Sequence, residues 1–503
     1  EFGPVSKQEL DYFANDLRTT SEIVYRLREE FNMKNGITIA SCALHDLKER
    51  ITPPVFDAYF PDLREYKIPV EGIDDCFTYC QKAYFGGWSF VNPRYKGDVF
   101  VTKQGHKLIS NMLKPGFKVV DHVWCADVNS EYPWSLRKVE DEDVPMWGHH
   151  YYPIGEPTYH TGEPTQEELD TLCVFRRFKC HFDLKPERFP YIHIRNSNFY
   201  KANKCLESDR VMGKRTLPDG KSTAHEFIMC QKDFELFQFS YDIEDYEAYD
   251  YVTFKRAEGI FDDYIDYWME QKIIGKKTKN AGLVTVAKLH LNAIYGRLAT
   301  GLDSSSHYLT PDEEGILRFK THHARDKKPV AMAAAAYCTA YARDNVVRAA
   351  DANYDYFTYS DTDSIHGFST NGHTVQGIKI DKYKLGCWDM EIDGDDENIG
   401  LASTFVKQKT YIEITLDKTK NKVHTIIKAA GMSDRAKDLI TVGLSAAPSM
   451  KGAKEIEYDG DRYMIPKLYL SDFRPGLCIK RANNFVKQIK GGCILAREDA
   501  SIN

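Results

Sequence analysis

The alternation of hydrophobic and polar residues along the chain predicts interleaved helices and strands. Residues 12–34 form an amphipathic pattern typical of a helix, and the β-branched and aromatic run 119–127 predicts a strand. Residues 261–298 have a helical pattern interrupted by the basic segment 276–279, and the alanine-rich stretch 332–350 predicts a further helix. Strands and helices in alternation favour an α+β fold.

Two stretches interrupt this pattern and are interpreted as insertions. Residues 138–235 are rich in turn residues, proline and aromatic side chains, which indicates an inserted subdomain. Residues 300–329 are polar and contain a run of serines, which suits a protruding hairpin or loop. No internal repeat is apparent.

Length and charge distribution limit the class of protein. At 503 residues the chain is too long for one core, so several subdomains are expected. The formal net charge is −7, yet residues 401–503 contain 18 Lys and Arg against 11 Asp and Glu. A basic C-terminal part on an acidic body suits contact with phosphate, although a solvated basic surface explains the charge equally well.

The cysteines and the hydropathy exclude two further classes. Twelve cysteines occur without any C-x-x-C pair, and Cys76 and Cys80 have the shortest spacing. Reduced thiols are therefore favoured over a zinc site or an iron–sulfur cluster. We find no apolar run long enough to cross a bilayer, so no membrane partner is expected.

Residues 359–366, with the sequence YSDTDSIH, carry the clearest chemical signal in the chain. Aromatic and β-branched residues flank them on both sides, which predicts a hairpin with Asp361 and Asp363 at its turn. Crowding two carboxylates costs free energy unless a cation compensates, and Mg²⁺ prefers oxygen ligands. A solvated turn is the alternative, because Asp and Ser are common turn residues.

Asp127 ends the predicted strand 119–127 and supplies a second source of carboxylate. A carboxylate at a strand end is well placed to share a metal with a neighbouring strand. Two ions about 3.5–4 Å apart can activate a primer 3′-hydroxyl and stabilise the oxygens of the leaving pyrophosphate. Taken alone, Asp127 would more often be a capping or turn residue.

Residues 288–297, with the sequence KLHLNAIYGR, predict a helix that presents a Lys and a Tyr together. At about 100° per residue Lys288, Asn292 and Tyr295 share one face, whereas Val286, Leu289 and Ala293 lie on roughly the opposite face, toward a core. The Lys can neutralise a triphosphate, and the Tyr offers a flat surface to a base pair. An ordinary surface helix is the alternative.

These segments together resemble the family B DNA polymerases. Residues 127–133 resemble motif A of that family, 288–296 resemble motif B and 359–364 resemble motif C, in the family's order. Residues 407–411 resemble the K-x-Y motif and 84–87 the Y-x-G-G motif; with the two insertions they are similar to the phi29-type, protein-primed subgroup. The resemblance extends from about residue 8 to the C-terminus and implies a right-hand polymerase fold with palm, fingers and thumb.

The resemblance implies a role for each matching residue. Asp127, Asp363 and the Val128 carbonyl would hold two Mg²⁺ ions, for which Mn²⁺ can substitute, with Asp361 nearby as a further catalytic residue. Tyr132 would exclude a 2′-hydroxyl, and the incoming dNTP would also meet Lys288, Asn292 and Tyr295. The residues implied in contacts to template and primer DNA are Tyr84, Gly86, Gly87, Thr362, Ser364, Lys409 and Tyr411.

The sequence departs from the family pattern at three positions. Glu131 stands where the family usually has a hydrophobic residue, and we expect it to point outward to solvent; pointing inward, it would alter metal affinity. Ala293 replaces a frequent Ser, with little expected effect. Val284 stands where the subgroup often has a second basic residue, so phosphate binding is expected to rest on Lys276 or Lys277.

The resemblance also implies a division of the chain and further partners. The first insertion would contact a terminal priming protein and upstream duplex, and the second would support strand displacement and processivity. Only Tyr12 to Asp16 resembles an exonuclease motif, the last of three, so we expect no proofreading by this chain. The division is 1–35 end of an exonuclease domain, 36–137 palm, 138–235 first insertion, 236–261 palm, 262–299 fingers, 300–330 second insertion, 331–440 palm and 441–503 thumb.

Several alternatives remain at this point. A DNA-binding protein that has lost catalysis is disfavoured by the intact carboxylates and Lys288. A reverse transcriptase or RNA polymerase also places paired aspartates on a hairpin, and a D-x-D sugar transferase does not account for all three motifs. DNA-primed or primer-independent initiation is the alternative to protein priming. A phage-like polymerase with reduced cysteines is expected to work in the cytoplasm of a bacterial host.

Overall fold

The computed structural model describes residues 6–30, 38–192, 205–209, 225–314, 317–324, 327–392, 397–445, 454–458, 460–489 and 492–502. The helices are α1 Lys7–Glu30, α2 Ile39–Ile51, α3 Pro53–Tyr59, α4 Cys76–Lys82, α5 Lys103–Leu108, α6 Glu131–Leu136, α7 Val144–Trp147, α8 Gln166–Thr171, α9 Gln231–Ser240, α10 Asp262–Lys277, α11 Ala281–Leu298, α12 Met332–Ala352 and α13 Asp434–Ser445. The strands are β1 Lys67–Val70, β2 Ile73–Asp75, β3 Ser89–Val91, β4 Phe100–Thr102, β5 Lys118–Val120, β6 His122–Val128, β7 Tyr152–Thr161, β8 Leu172–Leu184, β9 His225–Cys230, β10 Tyr241–Ala257, β11 Ser304–Pro311, β12 Leu317–Ala324, β13 Phe357–Asp361, β14 Ser364–Ser369, β15 Trp388–Ile392, β16 Asn398–Lys407, β17 Thr410–Asp417, β18 Lys422–Ala429, β19 Lys454–Tyr458, β20 Asp461–Ile465, β21 Cys478–Ile489 and β22 Gly492–Ser501.

A five-stranded antiparallel sheet in the order β15-β6-β14-β13-β3 lies at the centre of the predicted palm. The predicted hairpin is confirmed, because β13 and β14 pair on either side of a two-residue turn. The predicted strand 119–127 is divided at Asp121, where β5 ends and β6 begins in a different sheet. Trp88, Trp124 and Phe357 are buried in the same hydrophobic core as this sheet.

A second five-stranded sheet, β18-β17-β16-β4-β5, carries the K-x-Y segment. Helix α13 packs against it through Leu439 and Ile440, in a core that continues to Ile479 and Ala500 of the C-terminal hairpin β21–β22. The basic C-terminal quarter of the sequence is therefore anchored on this second sheet.

The first insertion has its own sheet, in the order β7-β10-β8-β9. The predicted division assigned residues 236–261 to the palm, but β10 within that segment pairs with β7 and β8 along most of its length. The sheet therefore joins β10 to the strands of the first insertion, a pairing that the strand pattern of β10 alone does not specify. Within this insertion, residues 193–204 and 210–224 lie outside the described part of the chain.

Helices α10 and α11 confirm the helical prediction for 261–298, and α12 confirms that for 332–350. In α11 the fully buried apolar side chains are Ala287, Leu291, Ile294 and Leu298. Leu289, which was expected to face the core, is 42% exposed. Val286 and Ala293, which were predicted on the same face as Leu289, are partly buried against the core. The most deeply buried apolar residues nevertheless lie further around the helix than predicted.

The remaining predicted elements are also present. Helix α1 confirms the first helix, although Phe13 and Leu17 on its apolar side are more than half exposed, and its predicted last residues lie outside the described part. Strands β11 and β12 confirm the hairpin in the second insertion. Within the described residues no helix is both long and apolar enough to span a membrane. The cysteines whose side chains are described are all free thiols.

Gly367 provides a test of the central sheet, because it lies directly opposite Trp124 in the β14–β6 pairing. A Cβ at this position would lie 2.3 Å from Trp124 Cζ2 and 2.5 Å from the Tyr356 carbonyl oxygen. We expect Gly367→Ala to lower the free energy of unfolding by about 1–3 kcal/mol, as overpacking a core does. Gly296→Ala is the matched control: no atom lies within 4 Å of its Cβ position, and Ala favours a helix. Chemical denaturation of both variants measures the difference, and equal stabilities would contradict the packing described here.

Candidate active site

Asp127 and Asp363 meet at one end of the central sheet. The Val128 N–H donates a hydrogen bond of 2.8 Å to the Asp363 carbonyl oxygen, and Ser364 lies opposite Asp127 in the β14–β6 register. Burial, together with the negative charges of Asp363, Glu391 and Asp389, raises the pKa of Asp127 to about 8. Burial and the negative charge of Asp361 together raise the pKa of Asp363 to about 6.

The turn of the hairpin is held in a left-handed conformation. Thr362 has φ +69°, and its N–H donates to the Trp88 carbonyl oxygen at 2.7 Å. Asp361 forms an ion pair with Lys409 of 3.1 Å, and the Lys409 N–H donates to the Tyr359 hydroxyl at 2.9 Å. The sequence motifs C and K-x-Y therefore meet through side chains that were predicted to be functional.

The donors at this end of the sheet fit hard divalent cations. Asp127 and Asp363 supply carboxylate oxygens, and Asp389 and Glu391 of β15 add negative charge beside them. Within the described residues no group of three or more His, Cys, Asp or Glu side chains is arranged to hold a metal ion by itself. Mg²⁺ generally binds one or two carboxylates and fills its other positions with water and substrate phosphates.

Asp389 and Glu391 were missed by sequence reasoning. Asp389 lies opposite Asp127 in the β15–β6 register, so their side chains share a face of the sheet. A signal was available in the sequence, because Trp388 to Ile392 alternates apolar and polar residues as a strand does. What could not be read from it was that this strand pairs with β6.

Glu131 contradicts its predicted outward orientation. The side chain is buried, with 2% of its surface exposed, and the Asn345 amide donates to both carboxyl oxygens at 3.2 and 3.4 Å. Burial raises its pKa well above the ordinary value, and the nearby charge of Asp363 adds to this. The general rule that Glu lies at the surface fails here because α12 covers the start of α6.

Tyr132 and Tyr295 stack on each other beside the carboxylates. Their ring centroids are 3.7 Å apart and their planes are inclined by 19°. Gly87 approaches the same place: a Cβ there would lie 2.8 Å from the Tyr132 hydroxyl and 2.5 Å from Thr362 Cγ2. Motifs A, B and C and the Y-x-G-G segment are thus brought together. Lys288 and Asn292 are exposed on the neighbouring surface of α11.

Lys272 is a further cation at this site that sequence reasoning missed. Its Nζ donates to the Ser130 hydroxyl at 3.0 Å, at the N-terminus of α6. Burial and the positive charges of Lys276 and Lys288 together lower its pKa to about 8, and Asp127 opposes the shift. Lys276 therefore lies near Lys272, and Lys277 is exposed on the last turn of α10.

The predicted DNA-contacting residues lie around the same centre. Arg343 on α12, which is held by a buried ion pair with Asp233, donates to the carbonyl oxygens of Phe85 and Gly86 and fixes the Y-x-G-G loop. Tyr84 is partly buried against the core of the neighbouring helices.

A groove of about 910 Å³ runs from the carboxylates along β17 and β18 and is lined by Ser364, Tyr411, Lys420 and Lys428. In its wall the buried pair His366 and Glu413, 2.9 Å apart, contacts Ser364 through His366 Nε2 at 3.2 Å. Sequence reasoning missed both members of this pair.

Comparison with known proteins gives consistent results. The profile of the family "DNA polymerase type B, organellar and viral" matches residues 111–375. The DNA polymerase of Bacillus phage phi29 is 28% identical over 452 residues, covering 87% of this chain and 67% of the relative. The DNA polymerase of Bacillus phage Nf is 26% identical over 485 residues, covering 92% and 73%.

A solved structure supports the same assignment. The phi29 DNA polymerase complexed with primer-template DNA and incoming nucleotide superposes with a TM-score of 0.73 at 25% identity, covering 99% of this chain and 73% of that one. The α+β polymerase fold expected from the motifs is confirmed by this similarity. The family match extends over more than half of the residues and includes all of motifs A, B and C. The chain is a DNA-directed DNA polymerase and belongs to the organellar and viral type B family.

Proposed function

We propose that the chain adds dNTPs to a DNA 3′-hydroxyl at a site where Asp127, Asp363 and the Val128 carbonyl hold two Mg²⁺ ions. The observation that carries this proposal is the burial of two carboxylates beside each other, with pKa values of about 8 and 6. Such crowding needs a compensating cation. Divalent ions would lower the pKa of the primer hydroxyl and neutralise charge on the leaving pyrophosphate. Mn²⁺, with similar oxygen preference, would substitute.

The side chains around the carboxylates would select and orient the nucleotide. Tyr132, packed on Tyr295, would lie against the sugar and leave no room for a 2′-hydroxyl. Lys288 and Lys276 would bind the triphosphate from the exposed side, and Lys272 would add positive charge next to Asp127. Asn292 follows Lys288 by one helical turn and would line the same pocket.

The first and last strands of the site would hold the DNA. Gly87 allows the loop carrying Tyr84 and Gly86 to approach Thr362 closely, where a side chain at position 87 would collide with Thr362. Lys409, paired with Asp361, would reach the primer terminus, with Ser364 and Tyr411 below it in the groove. Phosphate contacts of this kind position nucleic acid without reading its sequence.

Protein priming is the finer part of the proposal. It is supported by the Y-x-G-G and K-x-Y segments and by two insertions, each with its own antiparallel pairing. A terminal protein that supplies the primer hydroxyl would then bind the first insertion. DNA-primed or primer-independent initiation predicts synthesis on a primed or bare template without such a protein. Because the relatives are phage polymerases, we further propose that the chain is phage-encoded and acts in the cytoplasm of a bacterial host.

Removal of the second carboxylate tests the catalytic site. We expect Asp363→Ala to lower templated extension of a primed DNA by at least about 10²–10³-fold, the loss typical of removing one group that stabilises transition-state charge. Asp121→Asn is the control, because Asp121 directly precedes β6 and lies at the end of that strand away from Asp127. Extension with dNTPs but not rNTPs, on DNA but not RNA template, distinguishes this polymerase from the alternatives. Full activity of the Asp363→Ala variant would contradict the proposal.

Metal binding and pH are linked through the same two carboxyls. Their pKa values of about 8 and 6 exceed the ordinary value of 3.8. The folded, metal-free chain therefore binds more protons than the unfolded one, and the stability gained is full below about pH 4 and is lost as pH rises through 6 and 8. We expect the melting temperature without divalent metal to fall more steeply between pH 5 and 8.5 in the parent than in the Asp127→Asn, Asp363→Asn double variant.

Mg²⁺ provides the complementary measurement, since it competes with those protons. Its stabilising effect in the parent should grow as pH rises and should be small in the double variant. Calorimetry with and without Mg²⁺ checks both expectations. Identical pH slopes in the two proteins, or Mg²⁺ stabilisation independent of pH, would show that the two carboxyls are not the metal site.

The second insertion is predicted to act in strand displacement. We expect replacement of residues 304–324 by a short Gly-Ser linker to abolish synthesis through a downstream duplex, because the β11–β12 hairpin would no longer separate the strands. Synthesis on a single-stranded template with the same primer should continue, since the hairpin contributes no residue to the carboxylate site. Loss of both activities to the same extent, or retention of displacement, would refute this role.

A further inference from the structure

Glu131 occupies an unusual position for a charged residue. It precedes Tyr132 and is the first residue of α6, and its carboxyl group lies in the interior against Asn345 of α12. The two oxygens contact the same amide nitrogen, at 3.2 and 3.4 Å. Among the described residues no Lys, Arg or His forms an ion pair with it. Such an uncompensated charge would be costly in the interior, so a neutral acid is the form that this environment favours.

The start of α6 requires support from other parts of the chain. Its N-cap residue Ser130 has φ +62°, a left-handed conformation that is unfavourable for a residue with a side chain, and its hydroxyl does not cap the helix. That hydroxyl instead accepts the hydrogen bond from Lys272. The short helix is thus held at Ser130 from α10, while Glu131 is held from α12.

Helix α12 contacts α6 at two neighbouring points on one face. Asn345 binds Glu131, and Cys338, two turns earlier on α12, donates a weak hydrogen bond from Sγ to the Tyr132 carbonyl oxygen at 3.8 Å. Tyr132 links these contacts to the proposed nucleotide pocket, because its backbone is held by Cys338 and its ring stacks on Tyr295. A shift of the first turn of α6 would therefore move the ring of Tyr132.

We propose that Glu131 is a positioning residue: as a neutral acid bound to Asn345 it fixes the first turn of α6 on α12, and so sets the position of Tyr132 and the selectivity for the sugar of the incoming nucleotide. This inference rests on the proposed role of Tyr132 at the sugar. It differs from the expected alternative, in which an inward Glu131 alters the metal affinity of the site. Both carboxyl oxygens of Glu131 are bound by Asn345 of α12. These contacts therefore support a positioning role and not a role in metal binding.

The positioning role and the metal-binding role make opposite predictions for Glu131→Gln, whose amide has nearly the same shape as the carboxyl group. Glu131→Gln keeps the volume and retains an oxygen to accept the Asn345 hydrogen bond, so KM for dNTP and the preference for dNTP over rNTP should stay within about threefold of the parent. Glu131→Leu leaves the Asn345 amide buried without a partner, which should raise KM for dNTP and reduce the sugar preference by about tenfold each, with a smaller effect on kcat.

A double variant separates positioning from simple loss of stability. Glu131→Leu combined with Asn345→Leu removes both polar groups together, so sugar preference should recover to within about threefold of the parent. Melting temperatures of all variants identify any that fail to fold. Where Glu131→Leu does not fold, Glu131→Gln still tests whether Glu131 contributes to metal binding. Mn²⁺ affinity, measured by the spectrum of the free ion, should be unchanged in Glu131→Gln.

Each outcome of the experiment decides the inference. A tenfold or larger loss of Mn²⁺ affinity in Glu131→Gln would make Glu131 a metal-site carboxylate and overturn the positioning role. Parent-like sugar preference in Glu131→Leu, with relaxed preference in Tyr132→Val, would overturn it while leaving the proposed function intact. Unchanged preference in Tyr132→Val would instead refute the sugar-contacting role of Tyr132 in the proposed function, and the inference that depends on it.

Discussion

The repulsion between carboxylates at one end of the central sheet is the constraint on which the site depends. Backbone pairing of β6 with β14 and β15 brings Asp127 next to Asp363, Asp389 and Glu391, and burial weakens the screening of their charges by water. Strand pairing and the surrounding core supply the free energy that holds these groups together. Without a cation the structure compensates by retaining protons, which is why the pKa values of Asp127 and Asp363 are high.

The proposed nucleotide pocket is attached to the carboxylate site through one short helix. Helix α6 begins three residues after Val128 and carries Tyr132, and it is supported at its start by Lys272 of α10 and Asn345 of α12. The close approach of Gly87 to Tyr132 and Thr362 adds a third support. Because these contacts come from separate elements, the spacing between carboxylates and pocket is determined by packing over the whole fold.

Local patterns allowed much of the fold to be predicted from sequence. The hairpin at residues 359–366 and the helix α12 follow from turn chemistry and from periodicity, which are properties of neighbouring residues. The pairing of β10 with the first insertion and the contribution of Glu391 depend on partners far along the chain, and a strand pattern carries no information about them. Lys272 was overlooked for the same reason, since its role arises from contact with Ser130, at a distance of 142 residues.

Two side-chain orientations were wrong for physical reasons. Glu131 was expected at the surface because ionised carboxylates avoid the interior, but here the carboxyl group is buried, burial raises its pKa, and it is bonded to Asn345. Leu289 was placed toward a core from helical angles alone, yet which flank of a helix is covered depends on its neighbours, and α11 is covered on the side of Leu291 and Ile294. Both orientations depend on tertiary packing, which local sequence patterns do not specify.

The most direct test of the metal site is the number of Mn²⁺ ions that the chain binds in the presence of primed DNA and a non-hydrolysable dNTP. Electron paramagnetic resonance of the free ion gives this number without relying on turnover. The site described here predicts two bound ions in the parent, and fewer and weaker ones in Asp363→Asn, with Asp121→Asn unchanged. Two ions bound with equal affinity in Asp363→Asn would contradict the assignment of Asp127 and Asp363 as the metal-binding carboxylates.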